Sequence, residues 1–219
     1  MIIDTHCHIN MLDLDPFDGS IDAVIADALE HDIGRMICIS VDFATLPDVL
    51  AIADKYESVY ATVGVHPSES SNEDLTVEKL TGLAQHPKVV AFGETGLDYY
   101  YNKTGLEHMQ EQFRVHIRAA HEMSKPIVIH SRSAQDDTLS IMRDENARDV
   151  GGVMHCFTES LEMAKLSMEL GFYISFSGIV TFKNATNVQE VASYVPLENM
   201  VIETDAPYLT PHPHRGERN

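Results

Sequence analysis

Eight short β-branched runs alternate with seven longer amphipathic stretches along this chain, and that rhythm leaves few folds open. The runs lie at 2–6, 35–40, 59–65, 89–94, 126–130, 151–156, 172–177 and 199–204. Each is an almost continuous apolar segment, the pattern of strands covered on both faces. The stretches between them, 20–32, 45–57, 76–86, 105–124, 133–146, 158–170 and 184–194, carry their apolar residues at helical spacing. Ile21, Val24, Ile25, Ala28 and Leu29 mark the first; Leu106, Met109, Phe113, Ile117 and Ala120 mark the fourth. Thr45, Thr76, Ser133, Thr158 and Asn184 stand where helix N-caps belong. Eight strands joined by seven helices predict an α/β fold, a TIM (β/α)8 barrel formed as one domain over residues 1–219. A doubly wound open sheet is the rival, but it rarely needs eight strands at such even intervals. No G-x-G-x-x-G follows the first run, either.

Charge narrows the function. Fifteen Lys and Arg against 34 Asp and Glu give a net charge of −19. A surface that coats nucleic acid through general phosphate neutralisation is therefore not expected. An anionic substrate would need a local positive centre, which bound metal ions can supply. The three cysteines, Cys7, Cys38 and Cys156, form no C-x-x-C pair and read as buried thiols in a reducing compartment. No basic leader or cleavage site precedes Ile2, and no apolar run approaches the roughly 20 residues of a membrane span, so a cytoplasmic location without membrane contact is expected.

The active site of such a barrel gathers at the C-terminal ends of its strands. Six of the eight runs lead into side chains able to hold metal. Strand 1 leads into His6 and His8, strand 3 into His66 and strand 4 into Glu94; strand 5 ends at His130, strand 6 at His155 and strand 8 at Asp205. A lone histidine after a strand is usually a hydrogen-bonded structural residue, but independent accidents would scatter along the strands rather than collect at one end. In His6-Cys7-His8 both imidazoles face one point, and Cys7 faces the opposite side. By the same alternation, Asp4 and Glu203 lie one layer beneath His6 and Asp205. There they are candidates to accept the free N–H of a ligating histidine, or else are ordinary strand-end acids. Imidazoles and carboxylates without a thiolate cluster favour zinc, manganese, nickel, iron or magnesium. Six ligands, His6, His8, Glu94, His130, His155 and Asp205, exceed the need of one tetrahedral ion. Two divalent ions bridged by Glu94 account for the count.

The segments D-T-H-C-H (4–8), G-V-H-P (64–67), G-E-T-G-L-D-Y (93–99), I-H-S-R (129–132), H-C-F-T (155–158), E-T-D-A-P-Y-L (203–209) and P-H-R-G-x-x-N (213–219) occur in that order. Together they resemble the TatD family of metal-dependent deoxyribonucleases, within the amidohydrolase superfamily, over essentially the whole chain. The resemblance implies a TIM barrel with a two-metal site that hydrolyses phosphodiesters. It implies that His6, His8, Glu94 and Asp205 hold one ion and Glu94, His130 and His155 the other. Glu94 stands where many other amidohydrolase-superfamily members place a carbamylated lysine.

On this reading Asp205 orients or deprotonates the attacking water, so Asp205 and Glu94 carry the catalysis. His66 and Arg132 donate to the phosphate of a DNA or small phosphodiester substrate. Their plainer roles would be a strand-end hydrogen bond and a surface ion pair. Tyr99, Tyr100 and Tyr101 are candidates to stack on bases of a single strand or to pack at a loop base, and His212, His214 and Arg215 form a cationic lip. A C–N or ester hydrolase on the same metal chassis is the alternative function, and an inactive fragment is the third. Relatives implied by the resemblance continue past P-H-R-G-x-x-N through further helices. The sequence thus reads as a barrel truncated after strand 8, with oligomerisation left open. Ile3, Thr5, Cys7, Met200, Ile202 and Thr204 are expected to face outward along an uncovered apolar seam.

Overall fold

In the computed structural model, which describes residues 1–69 and 75–219, the eight expected strands form one sheet in the order β1 to β8, every neighbouring pair parallel. The strands are β1 (Ile2–Cys7), β2 (Ile33–Cys38), β3 (Val59–Val63), β4 (Val89–Asp98), β5 (Ile127–Arg132), β6 (Gly152–Met154), β7 (Phe172–Phe176) and β8 (Met200–Ile202). The helices are α1 (Ile21–Glu30), α2 (Leu46–Lys55), α3 (Val77–Leu83), α4 (Leu106–Met123), α5 (Gln135–Asp144), α6 (Leu161–Glu169) and α7 (Thr186–Tyr194). The circle closes between β8 and β1 through bonds at and beyond the strand end. Asp205 N–H donates to His6 O at 2.9 Å, and His8 N–H donates to Ala206 O at 2.8 Å. This is the TIM barrel that the alternation predicted.

Helix positions follow from burial on one face and capping at one end. Met109, Phe113, Ile117 and Ala120 of α4 recur at helical spacing and are all buried. Full burial of a side chain such as Phe113 or Ile117 stabilises by about 1.5–3 kcal/mol. Thr76 caps α3 by accepting from Lys79 N–H at 3.2 Å. The other four expected caps do not form. Thr45 precedes α2 but makes no cap bond, because Asp42 takes both its amide and its hydroxyl. Ser160, not Thr158, caps α6 by accepting from Met163 N–H at 3.1 Å. Helices α5 and α7 start after Ala134 and Ala185, without a capping side chain.

Strand β1 departs from simple alternation. Asp4 pairs with Met36 and Cys7 with Cys38, so three steps on β1 match two on β2. That β-bulge places Asp4 on the same face as Cys7, Met36 and Cys38, outside the barrel. The outer face of the β8–β1 seam is only partly open. Ile202 is 49% exposed, but Cys7 is 4% exposed within a cluster that includes Ile25, Met36 and Cys38. Ile3, expected on this seam, adjoins outward-facing Asp4 and so falls on the inner face. None of the described helices is long and apolar enough to cross a membrane.

Candidate metal centre

Six strand ends deliver polar side chains to one cavity of about 670 Å³ at the C-terminal mouth of the barrel. Glu94 is its hub. Its Oε2 lies 3.2 Å from His6 Nε2. Its Oε1 lies 3.0 Å from His130 Nδ1, 3.3 Å from His66 Nε2 and 3.4 Å from His155 Nε2. One carboxylate therefore meets four imidazoles carried by β1, β5 and the loops after β3 and β6. On the other flank Asp205 Oδ1 lies 3.4 Å from His8 Nε2 and 3.6 Å from His6 Nε2. Asp205 has a left-handed backbone (φ 58°), which aspartate tolerates. Its amide on His6 O keeps the carboxylate beside the β1 imidazoles.

The six expected ligands thus converge, and two groupings stand out. His6, His8 and Asp205 can converge on one point, and His66, Glu94 and His130 on another. The second grouping brings in His66, which the sequence placed at the substrate. The rings of His6 and His155 stack at 3.5 Å between the two groups.

A further layer holds these rings. Glu203 Oε1 lies 2.9 Å from His155 Nδ1, while its two oxygens accept from Cys156 N–H at 2.8 Å and Ser175 Oγ at 2.6 Å. Glu203 therefore lies behind the imidazole of a candidate ligand, His155. Asp4 does not. The bulge turns it outward, where it accepts from Thr204 Oγ at 2.6 Å, Thr204 N–H at 3.0 Å and His6 N–H at 3.2 Å, with no imidazole nitrogen among its hydrogen-bond partners. It fastens β1 to the end of β8.

The matching role for His130 belongs to Asp98, which the sequence reading missed. Asp98 Oδ2 lies 3.2 Å from His130 Nε2, and Oδ1 accepts from the amides of Tyr100 and Tyr101 at 2.9 and 3.0 Å. β4 runs four residues beyond its expected end, so Glu94, Gly96 and Asp98 share a face. Gly96 permits the close β4–β5 approach, since a Cβ there would stand 2.0 Å from His130 O.

Electrostatics test whether metal fits. Burial drives the His6 imidazole below its usual value, and neighbouring His155 adds to the shift. Burial also opposes protonation of His155, yet Glu203 and Glu94 outweigh it and push His155 up to about 10. Burial raises the Glu94 carboxyl, but His155, His66 and His6 more than offset that and hold it well below the carboxylate range. Asp98 falls to about 2, its desolvation overcome by bonds from His130 and from the Tyr101 and Tyr100 amides. Four buried carboxylates, Glu94, Asp98, Glu203 and Asp205, thus surround these imidazoles, Glu94 and Asp205 at the cavity wall and Asp98 and Glu203 behind the rings. Both ring nitrogens of His6 and Nδ1 of His8 are buried without a hydrogen-bond partner. Orphaned imidazole nitrogens facing carboxylates are donors suited to a divalent cation.

Two features frame the mouth. Among the described residues, Arg132 has no carboxylate within ion-pair distance. Its guanidinium lies 4.1 Å over the Tyr100 ring and 4.8 Å from that of Tyr101, and it lines the cavity with His66 and Tyr101. Tyr99 turns away, donating to Asp137 Oδ2 at 2.6 Å and packing on the core, so of the three tyrosines it is the structural one.

Imidazoles and carboxylates collected at the strand ends of a parallel barrel are the donor set of the metal-dependent barrel hydrolases. Comparison with known proteins narrows that class. A family model described as TatD related DNase matches residues 3–219, and the chain belongs to the TatD family. It is 46% identical over 221 residues to the uncharacterized metal-dependent hydrolase YcfH of Escherichia coli K12, an alignment covering all of this chain and 82% of that protein. It is 41% identical to YabD of Bacillus subtilis, another uncharacterized metal-dependent hydrolase, covering all of this chain and 85% of the relative. The crystal structure of YjjV, a TatD homologue from E. coli K12, superposes with a TM-score of 0.91 at 30% identity, covering all of this chain and 84% of that one. The chain is thus a metal-dependent hydrolase of the TatD family.

Proposed function

We propose that this hydrolase cleaves phosphodiester bonds, in DNA or in small phosphodiesters, at a binuclear divalent-metal centre. The observation that carries the reading is Glu94, whose two oxygens face opposite ligand groups at 3.0–3.4 Å. His6, His8, Glu94 and Asp205 hold one ion; Glu94, His130 and His155 hold the other. Zinc, manganese, magnesium and nickel all suit these donors. Bound there, such ions supply Lewis acidity that lowers the pKa of a water and neutralises phosphate charge.

The protein's own groups do the rest. Asp205, anchored through its amide, orients the attacking water and accepts its proton. His66 Nε2 and the Arg132 guanidinium, both on the cavity wall, donate to the non-bridging phosphate oxygens. The tyrosine stack fixes the plane of Arg132, so its donors are aimed before substrate arrives. Glu203 and Asp98 keep the His155 and His130 rings in place.

The test is turnover of bis(p-nitrophenyl) phosphate and of a single-stranded oligonucleotide panel against aminoacyl and amide substrates, with Mn²⁺, Mg²⁺, Zn²⁺ or Ni²⁺ added after chelation. Elemental analysis accompanies it. Two ions per chain and phosphodiester turnover restored by metal are expected. Turnover confined to amides or esters, or full activity with one ion, overturns the proposal.

A further inference from the structure

A second cleft, of about 450 Å³, opens beside the metal cavity and is lined by Phe182, Lys183, Asn184, Ala185, His212 and Arg215. In a chain with 34 acidic residues its wall contains no carboxylate and up to three positive groups. Lys183, His212 and Arg215 are exposed. Among the described residues, neither Lys183 nor Arg215 has a carboxylate within ion-pair distance. The nearby Glu217 is engaged instead by His214 Nδ1 at 3.2 Å. The Arg215 guanidinium lies 3.9 Å over the Phe182 ring. Stacking fixes its plane and leaves the N–H edges free to meet an anion.

The two clefts share a wall. Ile179 and Leu209 line the metal cavity, whereas Phe182 and His212, each three residues further on, line the second cleft. The intervening segments are pressed together. A Cβ at Gly178 would stand 2.1 Å from Leu209 O, and His212 N–H donates to Thr181 Oγ at 2.8 Å. An extended anionic chain leaving the metal centre across this wall meets a carboxylate-free cationic cleft next.

We propose that this cleft is a second phosphate subsite, in which Lys183 and Arg215 hold a non-scissile backbone phosphate of a single-stranded polynucleotide whose scissile phosphate lies at the metal centre. The inference rests on the phosphodiesterase reading for what occupies the metal cavity. It adds the substrate class: polymers with a phosphate beyond the one cleaved. Recognition is ionic and therefore salt-dependent, with a slope of about 0.7 per neutralised phosphate on a single strand.

The experiment is fluorescence anisotropy of a labelled eight-nucleotide phosphorothioate strand, which resists cleavage, titrated with the 219-residue chain in Mn²⁺ across a range of salt. Lys183→Ala combined with Arg215→Ala is expected to weaken binding about 10-fold at low salt and to flatten the salt slope by about 0.7. Arg215→Lys, which keeps the charge, is expected to stay within about twofold of wild type. Arg143→Ala combined with Arg148→Ala removes the same charge from the opposite end of the barrel and is expected to change neither value. Thermal melts accompany each variant. Equal losses in both double variants mean general charge only and overturn the subsite. So does unchanged binding in Lys183→Ala/Arg215→Ala, or no salt-dependent binding by wild type. Cleavage of bis(p-nitrophenyl) phosphate is scored separately: its absence defeats the reaction reading and leaves the binding result to stand or fall on its own.

Discussion

The β4–β5 side and the β8–β1 side of this barrel deliver equivalent chemistry by different means. β4 is ten residues long, pairs with β5 as far as Asp98 and Arg132, and is buried along nearly all its length. Glu94, Asp98 and His130 are aimed there by a ladder that shifts register once between Phe92 and Thr95, runs evenly from Thr95 to Asp98, and packs under α4. β8 is three residues long, and Ile202 on it is half exposed. His6, His8 and Asp205 are aimed there by two backbone bonds and by Asp4 reaching across to Thr204. One half of the centre is held by sheet and core, the other by a polar clasp.

Substitutions can break that comparison, and the largest effect belongs to the carboxylates at the ions. Glu94→Ala and Asp205→Ala are expected to lower metal-restored turnover more than about 10³-fold. His66→Ala, which removes one donor, is expected to cost about 10²–10³-fold. Steady-state rates with elemental analysis check this, and wild-type-like turnover in either carboxylate variant contradicts the assignment.

The two supporting acids separate the halves next. Asp98→Asn is expected to cost about 10–100-fold in metal affinity or activity with little change in melting temperature, because the ladder still holds β4. Asp4→Ala leaves the amides of His6 and Thr204 unsatisfied and is expected to lower unfolding free energy by about 1–3 kcal/mol. Denaturant titration and metal titration on both variants show whether stability and affinity divide in this way.

Protons sharpen the picture at His155. Its folded-state value is raised, so in the metal-free protein its charge adds stability that is fully present below about 6.5, the unfolded value, and is lost as pH climbs toward about 10. A metal ligand must be neutral, so filling this site near pH 8 is expected to release about one proton from His155. Calorimetry in buffers of different ionisation enthalpy measures it. Metal affinity that does not rise between pH 7 and pH 9 refutes it.

The smallest effect is expected at the seam. Ile202→Thr changes a half-exposed residue and is expected to alter stability by no more than about 0.5 kcal/mol. Ile129→Ala, at a fully buried position of β5, is expected to cost about 2–5 kcal/mol. Similar losses at both sites erase the distinction between the two sides.

The barrel was legible because eight buried strands write their apolar runs directly into the sequence, and the six candidate ligands because they lie at or just beyond the ends of those runs. Asp98 was missed because G-E-T-G-L-D has two glycines and only one β-branched residue, Thr95, to advertise a strand, although alternation from Glu94 through Gly96 points to it. Asp4 was misplaced because a bulge changes register without changing composition, and period-two reasoning carries straight through it. Lys183 stood outside the expected cationic lip because it lies beyond β7, some thirty residues from Arg215, and only the turn packed against Leu209 brings them together.

The bulge in β1 also sets how that strand tolerates changes of length. An inserted or deleted residue normally exchanges the two faces of a strand. Between Asp4 and Cys7 the parity is already switched once, so Asp4 serves the outside while His6 and His8 serve the inside. Deleting Thr5 would remove the bulge, match two steps on β1 to two on β2, and keep Asp4 outside with His6 and His8 inside. The opening residues of this chain are therefore permissive of substitution at Ile2 and Ile3 and of the loss of Thr5, whereas a one-residue change between His6 and His8 would turn one imidazole off the shared face.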